Sequence, residues 1–228
     1  MLRAGEQDSK ESHFAIQYLC EKYWYPTYLF VLKRTGNEHD AQDITQSFFS
    51  ELIEKNKFSF ADRSKGKFRT FLLTSVDNFL KNDWRKRSAQ KRGGNANTFS
   101  LDFGSVNDAA DFRQIQDEQL TAEQLFERRW AIELLRDALE QLKEDFASQD
   151  RARLFELLKP TLTPGASCKP YSEISEIVGM SESNIKVAVH RLRDKFRQKV
   201  RLLVADTVGD PNEIDEEISN LFAAFSNS

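Results

Sequence analysis

The side chains best placed to do chemistry are cations gathered in two runs. Between Lys81 and Arg92 stand six bases (Lys81, Arg85, Lys86, Arg87, Lys91, Arg92) against one acid, Asp83. Between Ser181 and Arg201 stand seven (Lys186, Arg191, Arg193, Lys195, Arg197, Lys199, Arg201) against Glu182 and Asp194. Each run has an amide close by, Asn78 and Asn184. Lys and Arg neutralise phosphates, Asn pairs bidentately with adenine, Arg or Lys with guanine, and Val meets a thymine methyl. Either run alone would pass for a solvated helix face. Two runs in a chain whose net charge is only -3 point to a ligand with repeated negative charge, gripped at two places, and duplex DNA fits.

Groups for covalent or metal chemistry do not converge. Asp43 and Glu54 lie three turns apart on one helix, about 16 Å by helix rise, too far to share an ion. His13, His39 and His190 have no ligand spacing. No Ser-His-Asp order, HExxH, P-loop or nucleotide-binding glycine fingerprint occurs. Cys20 and Cys168 form no CxxC pair, which fits a reduced cytoplasmic chain better than a zinc site or a disulfide scaffold. The expectation is therefore no catalytic residue, no metal and no cofactor, and a metal-dependent nuclease lacks its carboxylates.

These residues need helices to position them. The 228 residues are 39% hydrophobic and 30% charged, with eighteen Phe, which excludes collagen-like and disordered classes and favours two thin helical cores over one thick one. Helical periodicity dominates and no sustained alternation marks a strand, so the fold class is all-α. Residues 13–34 are aromatic-rich, with Pro26 expected to start a new turn or a kink. Residues 40–55 put Ala41, Ile44, Phe48 and Leu52 on one face, and Asp43, Gln46, Ser47, Ser50 and Glu54 on an outward polar one. Residues 66–92 bury Phe68, Phe71, Leu72, Val76, Phe79, Leu80 and Trp84, leaving Asn78, Lys81 and Arg85 opposite. The pattern fails over the polar stretch 93–118 and resumes at Thr121, where Thr121 and Gln124 have the form of a capping box opening a helix to about Ala147. The N-terminal segment lacks the apolar core of a signal peptide, and no apolar run could span a bilayer.

Residues 171–203 read as helix, glycine-containing turn, helix. Ser172 caps the first helix, Gly179 supplies the turn and Ser181 caps the second, which buries Ile185, Val189, Leu192, Phe196, Val200 and Leu203. In a helix-turn-helix the start of the second helix enters the major groove, presenting here Ser183, Asn184, Lys186, Val187, His190 and Arg191. Arg193, Arg197 and Arg201 lie further along, toward phosphates or nothing. Asp210-Pro211 opens a last short helix, and the stretch from Asp206 to Ser228 has six acids and no base.

Taken together, these segments resemble a sigma factor of the extracytoplasmic-function (ECF) group, the smallest members of the sigma-seventy class. DAQDITQSFFSELIEK looks like the family helix that docks on the polymerase β′ clamp. FRTFLLTSVDNFLKNDWRKR looks like the helix that melts and reads the minus-ten element. YSEISEIVGMSESNIKVAVHRLRDKFR is similar to the helix-turn-helix that reads the minus-thirty-five element. KNDWRKRSAQKRGG, LFERRW and IKVAVHRLR look closest to a planctomycete-like subgroup.

The resemblance implies two small helical domains joined by a flexible linker: a region 2 domain over 1–95, a linker over 96–120, a region 4 domain over 121–208 with its helix-turn-helix at 172–203, and an acidic C-terminal helix over 209–228. It implies polymerase contacts from Asp43, Gln46, Ser47, Ser50 and Glu54, minus-ten contacts from Asn78, Lys81, Arg85 and Lys86, and minus-thirty-five contacts from Ser183, Asn184, Lys186, Val187, His190 and Arg191. The implied partners are core RNA polymerase (β′ clamp and β flap) and promoter DNA, with an anti-sigma protein or a Ser/Thr kinase as candidate regulators and no membrane. The alternative from another class is a stand-alone helix-turn-helix regulator, which has no use for the 40–55 face.

Two departures from the family pattern carry expectations. Ser47 stands where a Glu is frequent, and DAQD where DAED is frequent, so two charges are missing from the clamp-facing surface; phosphorylation of Ser47 or Thr45 would restore charge. The acids Asp210, Glu213, Asp215, Glu216 and Glu217 either fold onto the basic recognition helix and compete with DNA, or solvate a helix that packs Ile214, Ile218, Leu221 and Phe222 on the second domain.

Overall fold

A computed structural model describes residues 10–55, 67–90, 120–163 and 165–225. Among the described residues every regular element is helical, in agreement with the all-α expectation. Helix α1 spans Lys10–Thr35, α2 Glu38–Glu54, α3 Phe68–Gln90, α4 Ala122–Ala147, α5 Ala152–Leu158, α6 Tyr171–Val178, α7 Glu182–Ala205 and α8 Ile214–Ala223. Short 3-10 turns occupy Lys159–Leu162 and Pro211–Glu213. None of the described helices is long and apolar enough to cross a membrane.

By packing, the chain forms two units. The first runs to Ile132 and resumes at Asp206; the second is Glu133–Ala205. The division therefore falls inside α4, not at the 96–120 linker, most of which lies outside the described residues. The start of α4 and the C-terminal residues belong with the N-terminal bundle, where the sequence had assigned the former to the second domain and the latter to a separate segment.

In the first unit, α1 continues through Pro26 to Thr35 without starting anew. Gly36 then takes a positive φ of 68°, and Asn37 caps α2 by accepting a hydrogen bond from the Asp40 backbone N–H at 3.0 Å. A Cβ at Gly36 would meet nothing, so the glycine is there for backbone freedom alone. Helix α2 buries Ala41, Ile44, Phe48 and Leu52 as spaced, and Thr45 and Phe49 with them. Helix α3 buries Phe68, Leu72, Val76 and Leu80 and half-buries Phe71 and Phe79. Trp84 departs from expectation: its ring is 50% exposed, because it falls past the last turn that α1 and α2 cover.

The capping box forms at α4. The Gln124 backbone N–H donates to Thr121 Oγ1 at 3.2 Å, and the Thr121 backbone N–H donates to Gln124 Oε1 at 2.8 Å. The helix so started packs on α1, with the Phe126 ring stacked near Tyr23 (centroids 6.5 Å) and Trp130 Nε1 donating to the Tyr23 hydroxyl at 3.2 Å. Burial holds that hydroxyl neutral, well above the usual tyrosine range.

The second unit closes around Leu142, Phe146, Leu154, Phe155, Leu158, Ile174, Ile185, Val189 and Leu192. Gly179, at φ 68°, makes the α6–α7 turn in the left-handed region. Ser181 caps α7, accepting from the Asn184 backbone N–H at 3.3 Å. Ser172 does not cap α6: that helix begins after Pro170, without a side-chain cap, and Ser172 is exposed. Asp210 accepts from the Asn212 backbone N–H at 2.9 Å and so opens the Pro211–Glu213 turn, with α8 following from Ile214.

Candidate nucleic-acid and protein interfaces

On α7 the burial of Ile185, Val189, Leu192, Val200 and Val204 turns the opposite face outward. Ser183, Asn184, Lys186, Val187, His190 and Arg191 are all exposed at its N-terminal half. Val187 is 45% exposed, a bare isopropyl group among polar neighbours. His190 Nδ1 lies 2.9 Å from Asp194, one turn on, which orients the ring along the helix. The cations further along are engaged by the protein: Arg193 donates to the Thr161 carbonyl (Nη2 at 3.0 Å), Arg197 pairs with Asp194 at 2.6 Å, and Lys199 pairs with Asp145 at 2.9 Å. The face can therefore offer an amide, two cations and one methyl-bearing group to base edges, with its rear half fixed to its own domain.

On α3, Asn78, Lys81 and Arg85 are exposed, as spaced. Lys81 pairs with Asp77 at 2.6 Å, and the side chain of Lys86 lies outside the described residues. Asn78 and Arg85 border a cleft of ≈ 490 Å³ between α2 and α3, walled by Phe48 and Phe79 edge to face (centroids 5.6 Å) and also lined by Glu51 and Asn82. Asn82 was missed by sequence reasoning, although it sits one turn after Asn78 on the same face. The cleft joins an aromatic wall to two amides, the carboxylates of Glu51 and Asp83, the Lys55 ammonium and the Arg85 guanidinium, and its size suits a flat heterocycle.

The polar face of α2 is intact. Ser47 and Glu54 are exposed, and Asp43, Gln46 and Ser50 are half-buried. Asp43 pairs with His39 Nδ1 at 3.2 Å. Thr45 is fully buried, with Oγ1 donating to the Ala41 carbonyl at 2.7 Å, so of the two hydroxyls expected as phosphorylation sites only Ser47 is open to a kinase.

The acidic C-terminal residues overturn both expectations made for them. Glu216 and Glu217 pair with Lys67 and Arg69, and α8 groups with the first unit, not with the second as expected. Sequence reasoning missed Lys67 and Arg69, because nothing local marks them for partners nearly 150 residues away.

A family model described as ECF sigma factor matches residues 26–202. No curated protein and no solved structure matches the chain.

Proposed function

The chain belongs to the ECF sigma factor family, and from that premise we propose that it directs core RNA polymerase to promoters and opens them, doing no covalent chemistry itself. The observation that carries the reading is the simultaneous exposure of three separate faces, on α2, α3 and α7, each with the polar groups its task needs. The α2 face, with Asp43, Gln46, Ser47, Ser50 and Glu54, meets the β′ clamp. The α7 face reads the upstream element through Asn184, Lys186, Val187, His190 and Arg191, and Ser183 lies at its entry. On α3, Lys81, Arg85 and Lys86 hold phosphates, while Asn78 and the α2–α3 cleft receive an unstacked base. The phosphate contacts supply salt-dependent affinity and the base contacts supply selection.

The segments KNDWRKRSAQKRGG, LFERRW and IKVAVHRLR favour the planctomycete-like subgroup. A stand-alone regulator would leave the α2 face without purpose. Mixing the purified chain with core polymerase decides between them: co-elution and transcription from a promoter selected by the pair support the sigma reading, and DNA binding without co-elution supports the regulator. Transcription undiminished by a Ser47→Ala substitution under inducing conditions would remove phosphorylation as a regulatory route.

A further inference from the structure

Three side chains of α7 form a chain of contacts along one face. His190, Asp194 and Arg197 stand one turn apart in succession, so each reaches the next. His190 Nδ1 lies 2.9 Å from Asp194 Oδ2, and Arg197 Nη1 donates to Asp194 Oδ1 at 2.6 Å. Both oxygens of one carboxylate are thus in use, one toward a ring nitrogen and the other toward a guanidinium. Asp194 is less exposed than either partner.

This arrangement decides what the imidazole can do. In a neutral imidazole one nitrogen donates and the other accepts. A carboxylate oxygen accepts only, and two acceptors repel at 2.9 Å, so the proton belongs on Nδ1. Nε2 is then left as an acceptor. A surface pair adds little to stability, but the choice between two tautomers of one ring needs little. A bound duplex that excludes water strengthens the preference.

A committed acceptor is what the rest of the base-reading face lacks. Lys186 and Arg191 donate only, Val187 does neither, and Ser183 and Asn184 each carry a donor and an acceptor. In the major groove cytosine shows an amino donor, where thymine shows the O4 acceptor and guanine shows acceptors alone. A fixed acceptor tells these bases apart. It bonds to cytosine N4 and is repelled by thymine O4 and by guanine O6 and N7.

We propose that His190 is a specificity-determining residue that selects cytosine at one position of the upstream element, and that Asp194, steadied by Arg197, is the positioning residue that makes Nε2 its acceptor. This rests on the sigma factor reading above, which supplies the DNA.

The test is selection from a promoter library randomised over the upstream element and transcribed by core polymerase with the full chain. It is run at about pH 8, above the ordinary imidazole value of about 6.5. His190→Ala marks the position, because cytosine preference is lost there alone. The unaltered chain is expected to favour cytosine over thymine at that position about tenfold. Asp194→Asn then separates positioning from charge. Arg197 donates only, so it takes the amide oxygen and turns the amide nitrogen toward His190. The amide N–H donates to Nδ1, the ring proton moves to Nε2, and the preference at that position shifts from cytosine toward thymine or guanine, with hydrogen exchange of α7 unchanged. An Asp194→Asn protein that keeps the original preference, or that changes affinity for all sequences alike, overturns the proposal. So does a His190→Ala protein whose selection is unaltered. A chain that fails to join core polymerase overturns the sigma reading instead; selection of the same library by binding to the full chain alone then makes the same comparison, and loss of all DNA binding overturns both.

Discussion

Helices α3 and α7 are both basic and both carry an amide among their cations, yet they dispose of charge in opposite ways. On α7 the His190 and Arg197 pairs with Asp194 are local, Lys199 reaches Asp145 only near the rear of the helix, and the N-terminal half stays exposed. On α3 the outward residues behave the same way, with Lys81 paired to Asp77 one turn earlier. The difference is at the start. Helix α3 has no acid in its first turn, and Arg69 there, with Lys67 just before it, opposes the helix dipole. Glu127, Glu216 and Glu217 supply the missing charge from two other segments. One helix leaves the cations of its N-terminal half, Lys186 and Arg191, exposed; the other commits its first cations to its own chain.

The sharpest way to break this comparison is to remove one acid from each arrangement. Glu217→Gln leaves Lys67 and Arg69 short of a buried counter-charge and should cost the packing of α8 about 3–5 kcal/mol. Hydrogen exchange of the α8 amides should then rise by orders of magnitude while α2 stays protected. Asp194→Asn removes a half-exposed acid whose pairs with exposed His190 and Arg197 are worth at most about 1 kcal/mol, so α7 exchange should hardly change. Equal responses would mean that the two ends do not differ in kind. Acid should mimic Glu217→Gln. Burial pushes the Glu217 carboxyl upward, but hydrogen bonds from Arg69 and Lys67 outweigh it and hold the group below the usual carboxylate range. Its contribution to docking is thus complete above the ordinary glutamate pKa of about 4.3 and fades as pH falls through the lower folded value, which α8 exchange against pH would record.

The roles proposed for the exposed faces differ. Asn184→Ala or Arg191→Ala should cost about 1–3 kcal/mol at one upstream base pair and relax selection there. Lys81→Ala or Arg85→Ala should weaken binding across all sequences and lower the salt slope by about one. Promoter libraries read at two salt concentrations would separate these outcomes.

What was legible in the sequence follows from the same difference. Periodicity of 3.6 placed the α2 and α7 cores, and the capping box at Thr121 and the turn at Gly179 formed as written, because each depends on residues within a few positions. The outward residues were legible for the same reason, since a face is defined by the stripe opposite. Trp84 was misjudged because periodicity continues along α3 beyond the partners that cover it. Ser172 was misjudged because Pro170 had already set the backbone at the start of α6. The contact of α8 with the start of α3 was invisible: pairing Arg69 with Glu217 is a tertiary choice among many acids, and composition also gave reason to place the acidic helix on the basic one. Thr45 shows the converse, a hydroxyl that looks available in sequence but is spent on the Ala41 carbonyl.

The α6–α7 turn should be the next most sensitive position. Gly179→Ala meets no atom within 4 Å, so its cost is the left-handed backbone alone, about 1–2 kcal/mol. Thermal unfolding of the full chain would register it, and upstream-element binding at low temperature should persist. A larger loss would mean that α6 had shifted on α7.

The smallest effect sharpens the comparison between the two units through their helix caps. At α4 the Thr121 hydroxyl and the Gln124 amide each satisfy a backbone N–H, so Thr121→Ala removes one of two reciprocal bonds and should cost about 1 kcal/mol. At α7, Ser181 makes a single, longer bond to the Asn184 N–H at 3.3 Å, and Ser181→Ala should cost about half as much. Urea unfolding of both variants, followed by fluorescence of buried Trp130, would rank them. Trp130 lies on the helix that Thr121 starts and donates to the Tyr23 hydroxyl on α1, so it reports the first unit directly. A Ser181→Ala loss as large as that of Thr121→Ala would show that the two units unfold together and that the caps feed a single transition. A Trp130 signal unmoved by Ser181→Ala would show that the second unit melts on its own account, as a separate body sharing α4 with the first would.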